Sequence, residues 1–187
     1  ALSDVNVLLD FTSSEPPSPP AAGTISQAGH RWNHLRKDGS GLVETYGDVS
    51  ATMPVIVGGA VSLMIQTDCT VANCTAFGAR LYFNVDGGAF NPVPDIMGAS
   101  QIGFFTNPDI DVFQGAATCC LLGALAAVHG TTNTFAAAVP VNDLVQNSSV
   151  TQRYVIRTGT TVAGQTICFK AYDQNGNALT SYAPSVG

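Results

Sequence analysis

The stretch FGARLYFNVDGG, residues 77 to 88, limits the possible folds more than any other. Phe77, Ala79, Leu81, Phe83 and Val85 alternate with Arg80, Tyr82 and Asn84, a period of two that points to a half-buried strand ending in a Gly turn. TQRYVIRT at 151 to 158 repeats the pattern, with Tyr154 and Ile156 inward and Arg153, Val155 and Arg157 outward. QTICFKAY at 165 to 172 puts Ile167, Phe169 and Ala171 on one face. DQNGN at 173 to 177 then carries Asn-Gly, the strongest short hairpin signal, before ALTSY. AVSLMIQ at 60 to 66 precedes the first strand, and TDCTVANCT reads as the loop between them, so a hairpin is predicted there. Further strands are expected at LVET (42 to 45), IGFF (102 to 105), TCCLL (118 to 122) and TFAAAV (134 to 139). Short strands punctuated by Gly, Pro and Asn predict an all-β chain, an antiparallel β-sandwich of jelly-roll or Ig-like type with an extended N-terminal arm.

The arm is read from SSEPPSPPAAG at 13 to 23. Pro16, Pro17, Pro19 and Pro20 fix φ and remove N–H donors, so the run favours extended polyproline II geometry and joins no central strand. Ahead of it, VNVLLDF offers Val5, Val7, Leu8, Leu9 and Phe11 as a strand that can add to a sheet edge, on its own body or on a neighbour. Three regions result: a strand and Pro-rich arm at 1–23, an edge or docking segment at 24–59, and the β-sandwich body at 60–187.

With 187 residues, the chain suits one domain with an ordinary core. Only 11% of residues are charged, against roughly a quarter in typical soluble domains. That deficit suggests a surface of uncharged polar residues, or one covered by another chain. A net charge of −6 with seven Lys and Arg disfavours nucleic acid as a partner. No window is long and apolar enough for a membrane helix; CCLLGALAAV at 119 to 128 is too short. Ala1 is read as following removal of an initiator Met in preference to leader cleavage. Of the cysteines, Cys69 and Cys74 flank a short turn and can pair, while adjacent Cys119 and Cys120 point to opposite faces of a strand. Five reduced, mostly buried thiols are the leading expectation.

Catalytic signatures are missing: the chain contains no GxSxG, P-loop, GxGxxG or HExxH pattern. The expectation is a non-enzyme without cofactor or metal. His30 and His34 lie four apart but have no third ligand at a recognisable spacing. Asn107, Asp109 and Asp111 are hard oxygen donors in a segment that reads as a turn, and DQNGN lacks the Gly and closing Glu of a calcium loop. With Glu15 and Glu44 as the only glutamates, a glycosidase carboxylate pair is a weak reading. GHRWNHLRK places Arg31, Arg36 and Lys37 around Trp32, which reads either as a solvated loop or as a docking patch with an aromatic anchor.

Four segments, ARLYFNVDGGAFNPV, GAATCCLL, SVTQRYVIRT and AGQTICFKAYDQNGNALTSYAP, resemble in order and spacing a family of β-sandwich modules of tailed-bacteriophage virion proteins, over about residues 60 to 184. The family's acidic position after the Thr is Gln152 here, and its Arg before the Tyr motif is Lys170. The resemblance implies a virion structural protein, made in the host cytoplasm and built into the particle as a capsid decoration, cement or tail-associated component. Its partners would be the major capsid protein or other virion subunits, and a homo-oligomer is expected, a trimer if it sits on local three-fold positions. No catalytic residues come with it. The alternative is a carbohydrate- or receptor-binding module of a tail fibre or cell-surface protein, which needs an aromatic platform; Trp32, Tyr46, Tyr82 and Tyr172 are candidates, scattered along the chain.

Overall fold

The structure, a computed structural model, describes residues 22–38, 41–49, 60–95, 102–105, 127–133, 142–159 and 163–182. Its strands are β1 (Thr24–Asp38), β2 (Gly41–Val49), β3 (Ala60–Thr70), β4 (Cys74–Phe77), β5 (Ala79–Val85), β6 (Asn91–Pro92), β7 (Ile102–Phe104), β8 (Ala127–Asn133), β9 (Asn142–Leu144), β10 (Ser148–Thr158), β11 (Ile167–Asp173) and β12 (Ser181–Tyr182). No helix occurs among the described residues, so the chain is all-β, with mostly antiparallel pairing. The expected strands at 118 to 122 and 134 to 139 lie outside the described residues.

A large sheet runs β12-β1-β3-β10-β7, with β2 also paired to β1 and β8 to β10. β12 and β2 occupy successive parts of one edge of β1, at residues 26–27 and 31–38. A three-stranded sheet, β11-β5-β6, and a two-stranded one, β4-β9, complete the topology.

Three expectations change here. β3 does not form a hairpin with β5: it lies between β1 and β10 in the large sheet, while β5 joins the small one. Its strand continues through Thr70, and the loop before β4 shortens to residues 71–73. That loop brings Cys69 and Cys74 to a Cα separation of 6.0 Å, within bridging range, and the two form a disulfide rather than remaining reduced. Residues 24–38 and 41–49, expected as an edge or docking segment, are built into the large sheet. They supply β1 and β2, and β1 is an interior strand of the large sheet.

The concealed period of β1 has a local cause. A bulge between Gln27 and Gly29 inserts one extra residue against β3, so the core-facing set switches from Ile25 and Gln27 to His30 and Trp32. Trp32, Leu63 and Tyr154 then form one row across β1, β3 and β10. Ala79, Leu81 and Phe83 of β5 and Phe169 and Ala171 of β11 belong to the same buried cluster as that row. Trp32 meets Phe169 edge-on at 5.6 Å. Polar contacts link the two sheets as well: the Ala171 N–H donates to Gln27 Oε1 at 3.0 Å, and Tyr154 Oη lies 3.0 Å from both the Ala79 carbonyl and Gln152 Oε1.

Candidate recognition surface

The outer face of the small sheet follows from the alternation of β5 and β11. With Leu81, Phe83, Phe169 and Ala171 turned to the core, Arg80, Tyr82, Asn84, Cys168, Lys170 and Tyr172 turn the other way. In register, Lys170 stands opposite Tyr82, and Pro92 of β6 lies on Tyr82's other side. Tyr82 and Tyr172 are diagonal neighbours whose rings stack at 4.1 Å with a 24° interplanar angle. Phe90 reaches the same patch at 6.2 Å from Tyr172, and β12 brings Tyr182 to it at 6.4 Å. These four rings are all half-buried.

Lys170 is held among them. Its Nζ lies 4.8 Å from the ring centres of both Phe90 and Tyr182, so two quadrupoles attract one ammonium. Arg80, opposite Tyr172, has a buried Nε with no hydrogen-bond partner among the described residues. Asn84 donates from Nδ2 to the Gly88 carbonyl at 3.0 Å, whereas its buried Oδ1 is unmatched among the same residues. Burial pushes the Tyr182 phenol above its ordinary value; the Leu179 N–H donated to its oxygen at 2.9 Å opposes this, while Tyr172 and Asp173 add to it.

Two turns frame the face. At one end, Asp86 (φ 50°) and Gly87 (φ 76°) turn the chain, and Asp86 is tied to Thr166 by its N–H to the Thr166 carbonyl and by Oδ1 accepting the Thr166 N–H, both 2.8 Å. At the other end, Asp173 Oδ1 accepts the N–H groups of Asn175 (2.9 Å) and Asn177 (2.7 Å), while Oδ2 accepts from Asn177 Nδ2 (2.9 Å). The turn expected at Asn-Gly forms, but the predicted hairpin does not extend: among the described residues the chain beyond it pairs back on β11 only at the Tyr172–Ala178 bridge, and β12 joins β1 in parallel. The turn also occupies the carboxylate that a calcium loop would use. Gly176 (φ 84°) is needed on two counts, since a Cβ there would also lie 2.7 Å from the Tyr82 hydroxyl.

A separate cleft of about 400 Å³ lies beside β4, between residues 22–25 and the turn at 173–180. Gln174 spans it, donating to the Ala76 carbonyl at 2.6 Å and accepting the Gly78 N–H at 3.0 Å. Gly23 passes so close that a Cβ would lie 2.5 Å from the Asn73 carbonyl and from Cys74 Sγ. The Pro-rich stretch therefore joins the described chain at the cleft wall.

The expected site residues fare differently. Trp32 is 3% exposed and belongs to the core, so its ring is not available as a docking anchor. Its neighbour Arg31 is half-buried on the other face of β1, paired with Met64. Arg36 and Lys37 lie on β1 opposite Val43 and Leu42 of β2. His30 is fully buried, and among the described residues no group of three His, Cys, Asp or Glu could hold a metal. Val5, Val7, Leu8, Leu9, Phe11, Pro16, Pro17, Pro19 and Pro20 lie outside the described residues, as do Asn107, Asp109, Asp111, Cys119 and Cys120.

Of the scattered aromatics, the structure joins Tyr82 and Tyr172 and adds Phe90, Tyr182 and Lys170, which sequence reasoning did not group. The available signal was the outward phase of β5 and β11, where Tyr82, Lys170 and Tyr172 alternate with the core residues. Compared with known protein families, curated proteins and solved structures, the chain matches none.

Proposed function

We propose that the chain is a structural protein of a bacteriophage virion, a β-sandwich that decorates the capsid and stabilises contacts between its subunits. The observation that supports this reading is the placement of the resembling segments. ARLYFNVDGG falls on β5 and its turn, SVTQRYVIRT on β10, and ICFKAYDQNG on β11 and its turn, with β5 and β11 paired. The large and small sheets share one buried cluster, as a sandwich requires. Residues 1 to 22 would then be the attachment arm, leaving the body at the cleft wall and pairing with a neighbour's sheet edge.

Binding of full-length chain and of a variant lacking residues 1 to 22 to particles stripped of this protein tests the proposal. Full-length chain should sediment with particles in a fixed ratio to the major capsid protein. The truncated chain should keep its β circular dichroism and remain unbound. Equal binding of both forms would reject the arm, and absence of the chain from purified particles would reject the virion role.

A second reading, a saccharide-binding module on a tail fibre or cell surface, is favoured by one observation: Tyr82, Tyr172, Phe90 and Tyr182 form the aromatic cluster that such a module needs. A glycan array probed with the full chain separates it from a purely structural role.

A further inference from the structure

We infer that the outer face of β11-β5-β6 is a binding site for an anionic oligosaccharide, one whose sugar rings carry carboxylates; this rests on the saccharide-binding reading. Three features of the face converge on that chemistry. The first is its rings. Tyr82 stacked on Tyr172, flanked by Phe90 and Tyr182, offers half-buried π-surface of the kind that packs against the C–H face of a pyranose.

The second is charge. The chain as a whole carries −6, yet the ionic side chains that β5 and β11 turn outward are Arg80 and Lys170, both cations. The carboxylates of the two framing turns are already engaged, Asp173 by Asn175 and Asn177, and Asp86 by the Thr166 N–H. Lys170 is fixed between two rings, so its ammonium loses little further freedom on meeting an anion.

The third feature is an unmatched pair. Among the described residues, Arg80 Nε has no acceptor and Asn84 Oδ1 no donor. Asn84 is 7% exposed, so its amide oxygen carries a desolvation cost in the free protein. Arg80 and Asn84 are four residues apart on one strand, about 13 Å, with Tyr82 between them. A ligand that satisfies both after side-chain rotation must present an acceptor at one end, a hydroxyl donor at the other and an apolar face in the middle. Inorganic phosphate or sulfate lacks the apolar face. An extended peptide would use the sheet's edge for its backbone bonds rather than this face. A carboxylated sugar chain of two or more units meets all three needs.

The test is calorimetry on the full chain with three probes: a galacturonic acid tetrasaccharide, its neutral galactose counterpart, and oligoglutamate. The uronate should bind at least tenfold tighter than the galactose probe, with affinity falling as salt rises. Lys170→Met keeps the apolar stem and should erase that preference, while Tyr172→Ala should weaken both sugars tenfold or more. Far-UV circular dichroism and thermal midpoints confirm that both variants fold. Equal affinity for both sugars would overturn the anionic specificity and leave the saccharide reading standing. Binding of neither sugar would overturn both, and tighter binding of oligoglutamate would replace the saccharide with an acidic peptide.

Discussion

The large and small sheets bury their residues by different rules. In the small sheet, β5 and β11 send Leu81, Phe83, Phe169 and Ala171 inward and keep Tyr82, Lys170 and Tyr172 half-open on the outside. In the large sheet, β3 and much of β10 are buried on both faces. On β3, Leu63 and Ile65 belong to the core, yet Ser62, Met64 and Gln66 behind them are 0–3% exposed. On β10, Val155 is as buried as Tyr154 and Ile156. A one-sided sheet can lend its second face to recognition without dismantling the core. A two-sided sheet is scaffold on both faces.

The widest test of that contrast compares two residues on β11. Phe169→Ala removes the ring that meets Trp32 and Phe83, and should cost about 3–5 kcal/mol in urea unfolding. Tyr172→Ala, three residues on and facing outward, should cost about 1 kcal/mol, the scale of its ring contacts. Similar losses from the two would mean that the small sheet is two-sided after all.

Next in size is the disulfide where β3 of the large sheet passes to β4. Replacing Cys69 and Cys74 together with Ser should lower stability by about 2 kcal/mol, as expected for closing so short a loop. Alkylation without reductant should leave both residues unlabelled in the native chain; labelling of either would contradict the bridge. Such bonds persist in oxidising surroundings.

Smaller again is the polar link between the sheets. Tyr154 is fully buried, and its hydroxyl lies between the Ala79 carbonyl and Gln152 Oε1. Burial also pushes its phenol far above the ordinary range, so the group stays neutral. Tyr154→Phe keeps the ring and removes the single proton that those two acceptors share, for an expected loss of about 1 kcal/mol. If the loss is near zero, the hydroxyl contributes no net link between the sheets.

The same contrast explains what could be read from residue order. The alternation of β5 and β11 was legible because only one face is covered, and the turns at Asp86–Gly87 and Asp173–Gly176 because those residues suit positive φ or side-chain capping. Inward Tyr154 and Ile156 were also legible, whereas outward-reading Val155 is buried. β1 was hidden by its bulge, which places Gln27, His30 and Trp32 on one side without a constant period. The β3 partner was misread because adjacency in sequence favours a hairpin, whereas β3 pairs instead with β10, some ninety residues on. Tyr82 and Tyr172 were both noticed, but grouping them required the β5–β11 register. The proline pattern was legible, but the arm it predicts lies outside the described residues; what the structure adds is the close passage of Gly23 against Asn73 and Cys74.

The gentlest probe addresses the buried back of the large sheet. Asp68 lies on β3 among Ser149 and Ser26 in register, and burial raises its carboxyl above 3.8, opposed in part by the hydrogen bond that Gln66 Nε2 donates to Oδ1 at 3.0 Å. A raised carboxyl binds its proton more tightly in the folded chain than in the unfolded one. Its contribution therefore favours folding below pH 3.8 and is lost as pH rises through the higher folded value. Asp68→Asn keeps the acceptor for Gln66 and removes the charge, so it should be more stable than the parent at pH 7 and show no such advantage at pH 3. Urea midpoints at the two pH values measure this. A parent that gains stability over Asp68→Asn as pH rises would mean that an unseen cation, rather than burial, governs this side of the sheet.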